Sequence, residues 1–312
     1  MLDIVVGIDD TVSSRCALDR ALLQAEANGR RLRVVHAWTS SVWLGGAPGI
    51  PYGAATIAQD SEAVALVVAE GLLAQARTRH PGGSAQVQVE AGEGDPGRLL
   101  VRASVDAGLL VVGNHGHGAV ASAVLGSATA YVLHHAACPV MVVPAHGPTV
   151  NTFRRVVVGV DGSPSSRSAL RWGLDAARRL GCPLVAAHAW LSTDLPAPVP
   201  ATPGLPAYEV AARAWLLQEL EDTLPADNNV DVVPMLTHSS PAWGLLDTAT
   251  PDDVLVVGSR GRGGFASLML GSVATQCAEH ASSTVVVVRA GQERLEPPAD
   301  TDADTQLHTI VG

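Results

Sequence analysis

The sequence predicts an α/β protein built as two doubly wound, five-stranded parallel sheets in tandem. Three observations predict it. The first is an internal repeat: residues 6–18, VGIDDTVSSRCAL, return at 158–170 as VGVDGSPSSRSAL, His36-Ala37-Trp38 returns as His188-Ala189-Trp190, and residues 111–145 align with 256–290 with nearly half of the positions identical. A period of about 150 residues is too long for a solenoid and marks duplicated domains. The second is the alternation of short Val-rich runs with segments whose apolar residues recur at helical spacing. Strands that are apolar throughout and separated by helices imply parallel sheets covered on both faces, with right-handed crossovers. The third is length: 312 residues are comfortable for two cores.

The elements of the first copy follow in order. LDIVVGI (2–8) is a β-branched run. Ser13 is placed to cap a helix carrying Ala17, Leu18, Ala21, Leu22 and Ala25. RLRVVHAW (31–38) is the second strand, a helix covers about 59–79, and QVQVEA (86–91) is the third strand. A helix runs from Pro96 to about Ala107, a strand over GLLVVG (108–113), a helix from Ser127 to about Ala137, and a last strand over PVMVV (139–143). The second copy repeats this from RRVVVGV (154–160) to TVVVV (284–288). The Pro-, Gly- and Ala-rich stretches 39–58 and 191–207 are expected to be long loops, and 146–152 (HGPTVNT) to be the linker. The domains are therefore 1–146 and 153–290, followed by an acidic, Pro-containing tail over 291–312 that is expected to be disordered.

Composition excludes several functions. All 20 basic residues are Arg, and there is no lysine. Schiff-base chemistry, the phosphate-loop lysine and the kinase strand lysine are thereby removed. Any phosphate must be held by backbone amides, hydroxyls, Arg or His. A net charge of −10 and 4% aromatic residues disfavour nucleic acid as a partner. No apolar run is long enough for a membrane span. The start, MLDIVVGIDD, lacks the basic region of a secretory signal. Cys16, Cys138, Cys182 and Cys277 form no CxxC and read as buried, reduced thiols of a cytoplasmic protein. Arg30, Arg31 and Arg33 read as a solvated helix end, and the six tryptophans as core and loop anchors.

Ligands of doubly wound sheets sit outside the carboxyl ends of the strands. After the first strand, beyond Gly7 and Gly159, come Asp9 and Asp161. After the fourth come Gly113-Asn-His115-Gly116-His117-Gly118 and Gly258-Ser-Arg260-Gly261-Arg262-Gly263. Nine residues separate Gly116 from Gly126 and Gly261 from Gly271. Each of those glycines opens a helix, over Ser127-Ala128 and Ser272-Val273. Glycines let backbone amides close on an anion, and a helix start adds unpaired N–H groups and a partial positive charge. His115 and His117 lack a third ligand for a metal, so none is expected. His36 and His188 read as packed beside tryptophan.

With these residues in place, the chain resembles a tandem universal stress protein of the ATP-binding subgroup common in actinobacteria. The resemblance covers 2–145 and 154–290 and rests on G-x2-G-x9-G-[ST] in both copies. It implies a Rossmann-like fold of the adenine nucleotide alpha hydrolase type. It also implies ATP, with or without Mg²⁺, beside Asp9 and Asp161, with adenine near Ala37 and Ala189. Ribose and phosphates would lie on the glycine loops and Gly-Ser helix starts. The implied function is stress-response regulation with little or no turnover, as a homodimer or an intrachain pseudo-dimer through 139–143 and 284–288, reporting to an unidentified protein partner. Two alternatives are a nucleotide-independent interaction module and a slow ATPase.

Three departures separate the copies. Asp9-Asp10-Thr11 stands where the second copy has Asp161-Gly162-Ser163, and His115 and His117 replace Arg260 and Arg262. Neutral His offers a phosphate less charge than Arg, so weaker, more pH-sensitive binding is expected in the first copy. Thr237-His238-Ser239-Ser240-Pro241 replaces Gly92-Glu93-Gly94-Asp95-Pro96. A receiver domain is excluded by the missing lysine, a serine hydrolase by the missing G-x-S-x-G, and a Rossmann dehydrogenase by a glycine loop that follows the fourth strand rather than the first.

Overall fold

The computed structural model describes residues 2–38, 62–116, 125–145, 153–190, 207–262 and 270–292. The first half runs β1 (Asp3–Ile8), α1 (Val12–Asn28), β2 (Leu32–Trp38), α2 (Glu62–Arg79), β3 (Val87–Glu93), α3 (Pro96–Ala103), β4 (Ala107–Gly113), α4 (Ser127–His135) and β5 (Val140–Val143). The second runs β6 (Val156–Gly159), α5 (Pro164–Leu180), β7 (Leu184–Trp190), α6 (Ala207–Thr223), β8 (Val232–His238), α7 (Pro241–Thr248), β9 (Val254–Gly258), α8 (Ser272–His280) and β10 (Thr284–Val288). The long loop expected at 39–58, the linker 146–152 and all of the loop expected at 191–207 except Ala207, which opens α6, lie outside the described residues, as does the tail from 293 onward.

Each half is a parallel five-stranded sheet, and the two are joined edge to edge in the order β3-β2-β1-β4-β5-β10-β9-β6-β7-β8. The junction is antiparallel, with Val285 opposite Val142, Val286 opposite Met141 and Val287 opposite Val140. Because side chains alternate along a strand, Met141 and Val286 enter one core, and Val140, Val142, Val285 and Val287 the other. Both cores run unbroken across the seam. The last strands of the two copies thus cover each other's edges, where an all-Val edge would otherwise be open to pairing with another chain.

Local chemistry explains the helix limits. Thr11, not Ser13, caps α1: its side chain accepts from the Ser14 N–H, and its backbone is extended. Ser13, a turn further in, is buried and donates instead to the His115 carbonyl at 2.5 Å. Ser163 caps α5, with Pro164 at the first helical position. Gly29 and Gly181 end α1 and α5 in the left-handed conformation. Asp95 caps α3 through the Arg98 N–H, whereas Ser240 makes no such bond to α7.

Three compositional readings are corrected. Of Arg30, Arg31 and Arg33, read as a solvated helix end, only Arg31 is exposed, and all three have partners. Arg30 is buried and donates to the Leu2 carbonyl, Arg31 pairs with Asp3, and Arg33 forms a two-pronged pair with Glu90. Their partners lie on neighbouring strands and could not be seen in the local sequence. Of the four free cysteines, only Cys138 and Cys277 are buried, and burial pushes both thiols up to about 12. Trp172 is a core residue, but Trp243 is 56% exposed and lies flat against the His280 ring.

Candidate functional site at the sheet's carboxyl edge

In each half the strand order reverses beside the first strand, which lies between the second and the fourth. The β1/β4 and β6/β9 carboxyl ends are therefore the switch points where a crevice opens. In the second half that crevice is a cleft of about 630 Å³, within the ~300–1,000 Å³ range of small-ligand pockets. Gly159, Asp161, Ala189, Gly258, Arg260, Gly261, Arg262, Gly271, Ser272 and Val273 all line it. Gly263 lies outside the described residues.

A short circuit of hydrogen bonds builds the cleft floor. Asp161 Oδ1 accepts from the Ser163 N–H at 2.9 Å, and Oδ2 accepts from the Arg262 N–H at 3.3 Å. The Ser163 hydroxyl donates to the Arg260 carbonyl at 3.0 Å. The Gly271 N–H closes the loop base onto the Ser259 carbonyl at 2.7 Å. A related circuit occurs in the first half, where Ser13 rather than the capping Thr11 makes the short bond to the loop. Asp9 Oδ1 accepts from the Thr11 N–H and hydroxyl, Ser13 donates to His115, and the Gly126 N–H donates to the Asn114 carbonyl. Gly7, Asp9, Gly113, His115, Gly116, Gly126, Ser127 and Ala128 thus share one edge, and Ala37 stands next to last on neighbouring β2. His117 and Gly118 lie outside the described residues.

The glycines are there for closeness. A Cβ at Gly258 would lie 2.8 Å from the Ser165 backbone, and one at Gly113 would lie 2.8 Å from that of Ser13. A Cβ at Gly261 would come within 2.6 Å of Asp161 Oδ2, and one at Gly116 within 3.0 Å of Asp9 Oδ2. Gly7 and Gly159 have a different reason: a Cβ there would strike the Leu100 or Leu245 side chain packed behind the strand. At the helix starts, Gly126 and Gly271 supply no capping side chain to α4 or α8. Both helices therefore begin without the usual side-chain oxygen over their first N–H groups.

Sequence reasoning missed part of the wall. His188, expected to be packed, lines the cleft. Its Nδ1 lies 2.7 Å from the Val160 carbonyl and must donate to it, leaving Nε2 as an acceptor. Burial, with a smaller push from Arg262, holds its pKa below the usual histidine value. Its ring lies 4.6 Å from that of Trp215, on α6, and Trp215 in turn carries the Arg262 guanidinium 4.8 Å from its ring centre. Trp215 packs against the core and carries Arg262 of the glycine loop on its ring, in keeping with its reading as a core and loop anchor. Nothing near it in the chain signals this, because α6 meets the glycine loop only in the fold. Among the described residues no cluster of His, Cys, Asp or Glu could hold a metal, and no helix is long and apolar enough to cross a membrane.

The profile of the Universal stress protein family matches residues 1–144 and again 152–289. The chain belongs to the universal stress protein family. A universal stress protein of Mycolicibacterium smegmatis is 33% identical over 290 residues, covering 92% of this chain and 96% of that protein. Another, Rv2623 of Mycobacterium tuberculosis, is 33% identical over 294 residues with the same coverage. In fold, the chain is similar to the crystal structure of a universal stress protein from Archaeoglobus fulgidus, with a TM-score of 0.63, 18% identity, and coverage of 93% of this chain and 98% of that one. This universal stress protein thus has relatives that match it over more than nine-tenths of its length.

Proposed function

We propose that this universal stress protein is an ATP-binding regulator of the stress response, acting in the cytoplasm, with one nucleotide site per half and little or no turnover. The observation that carries this reading is the second-half cleft. There the amides of the glycine loop, the uncapped start of α8, the Ser272 hydroxyl and two arginines converge opposite the apolar wall of Val160, Ala187 and Ala189. The charged end suits a triphosphate and the apolar wall an adenine. The donor set is amides, hydroxyls and guanidinium, which are phosphate ligands. Mg²⁺ would arrive bound to the phosphates, and among the described residues both oxygens of the Asp161 carboxylate on the cleft are already taken by the Ser163 and Arg262 N–H groups. The antiparallel seam makes the chain its own pseudo-dimer, and a ligand that orders either glycine loop can change the surface shown to a protein partner.

Chromatography of the supernatant after heat denaturation tests this. Adenine nucleotide released at up to two equivalents supports the reading. Protein that carries none and takes up none on ATP titration overturns it in favour of a nucleotide-independent module. ATP turnover at a rate fast enough to follow over minutes would overturn the non-enzymatic part alone.

A further inference from the structure

The two halves carry opposite charge at one corresponding place. Asp10 and Gly162 hold the same position in the turns after β1 and β6, and both are left-handed, with φ of 64° and 74°. In the second half the space beside Gly162 is filled by the Arg262 guanidinium, which a Cβ at that position would strike, and Arg262 lies on Trp215. In the first half a carboxylate side chain grows from that position instead. Asp10 is held there by Arg15, with Nη2 and Oδ1 2.5 Å apart. A second difference lies just past the last strands, where Arg289 follows β10 and Pro144 follows β5. The Ser259 N–H bonds to the Val288 carbonyl at 2.7 Å, so Arg289 starts beside Ser259-Arg260. Its pKa is lowered by burial first and then by the Arg260 charge.

Among the described residues, then, the second cleft is lined by Arg260 and Arg262 against the one carboxylate of Asp161, with Arg289 next to Arg260 but bonded to the Leu133 carbonyl. The first-half site has Asp9 and Asp10 against Arg15. The uncapped helix starts at Gly126 and Gly271 are alike and cancel in the comparison. We propose that the two sites select different phosphorylation states: the second takes nucleoside polyphosphates, and the first takes a nucleoside or nucleoside monophosphate. This rests on the nucleotide reading above. Each added phosphate brings negative charge toward guanidinium groups in one site and toward carboxylates in the other. Asp10 and Gly162 are the specificity-determining positions, because Gly162 leaves the room that the Arg262 guanidinium fills, whereas Asp10 puts a carboxylate at the same turn.

Calorimetric titration of adenosine, AMP, ADP and ATP tests it, using Gly116→Val to read the second site and Gly261→Val to read the first. Affinity at the second site should rise about tenfold or more from AMP to ATP, about 1.4 kcal/mol per tenfold, and that gain should shrink in high salt. Affinity at the first site should stay level or fall along the same series. Equal AMP-to-ATP ratios at the two sites overturn the proposal while leaving the nucleotide reading intact. Failure of all four ligands to bind the wild-type chain overturns both. Should either glycine variant not fold, the otherwise intact chain carrying Asp10→Gly or Arg262→Gln answers instead. The first should raise ATP affinity at the first site, and the second should lower it at the second site. Unchanged ratios in both overturn the selectivity.

Discussion

Arg289 reaches across the seam to Leu133. Its Nη2 donates to that carbonyl at 2.9 Å, in the last turn of α4, and the neighbouring Gln292 side chain donates to Ala137. A cation at a helix carboxyl end satisfies an orphan carbonyl and meets the negative end of the dipole. Arg289→Ala should lower stability by about 1–2 kcal/mol, read as a shift of the urea midpoint at unchanged slope. A midpoint that does not move would mean that water replaces the contact without loss.

The seam should also be vulnerable in its core. Met141 is 2% exposed and faces Val286. Met141→Ala should cost about 2–5 kcal/mol, because the cavity sits between two halves that must keep their register. Differential scanning calorimetry would show both halves melting earlier. Earlier melting of one half alone would argue against a shared core.

Ligand binding should fail one site at a time. Gly261→Val pushes a side chain into Asp161, and Gly116→Val pushes one toward Asp9. Each should abolish nucleotide binding at its own site with the far-UV circular dichroism unchanged. Nucleotide retained in the double variant would mean that these loops are not the site.

Acid should act through Asp253. This fully buried carboxylate pairs with Arg155 at 2.6 Å and accepts from Thr250. Burial alone would raise its pKa, but the bonds from Arg155 and Thr250 outweigh it and hold the carboxyl below its ordinary 3.8. A depressed carboxyl stabilises the fold above its unfolded pKa, and that stability is lost as pH falls through the folded value. Asp253→Asn should therefore lose about 1–3 kcal/mol at neutral pH and show a flatter stability curve between about pH 5 and pH 2. A parallel curve in the variant would assign the acid sensitivity to other carboxylates.

Much of this protein was legible in its sequence because the signals are local or repeated. The apolar runs placed the five strands of the first half, and the first and last of the second, to within about two residues. The recurrence of VGIDDTVSSRCAL as VGVDGSPSSRSAL declared the duplication, and the glycine spacing put Asp161, Gly261 and Gly271 on one cleft. What stayed hidden depends on partners distant in the chain. Thr11 takes the cap, while Ser13, inside the helix, donates to the His115 carbonyl a hundred residues away. His188 joins the cleft wall because Trp215 on α6 and the Val160 carbonyl hold it there.

The sequence by itself determined the duplicated α/β fold, the alternation of strands and helices, and the position of the glycine loops, since periodicity and turn chemistry act over a few residues. The resemblance already pointed to a seam between 139–143 and 284–288, and only the tertiary structure decided its register, with Val285 opposite Val142 and β5 antiparallel to β10. It alone decided that Arg30, Arg31 and Arg33 are paired, and that Arg262 rests on Trp215 where the first half has Asp10. The reason is physical: pairing across a seam and stacking between a loop and a distant helix are stabilised by contacts that exist only once the chain has folded.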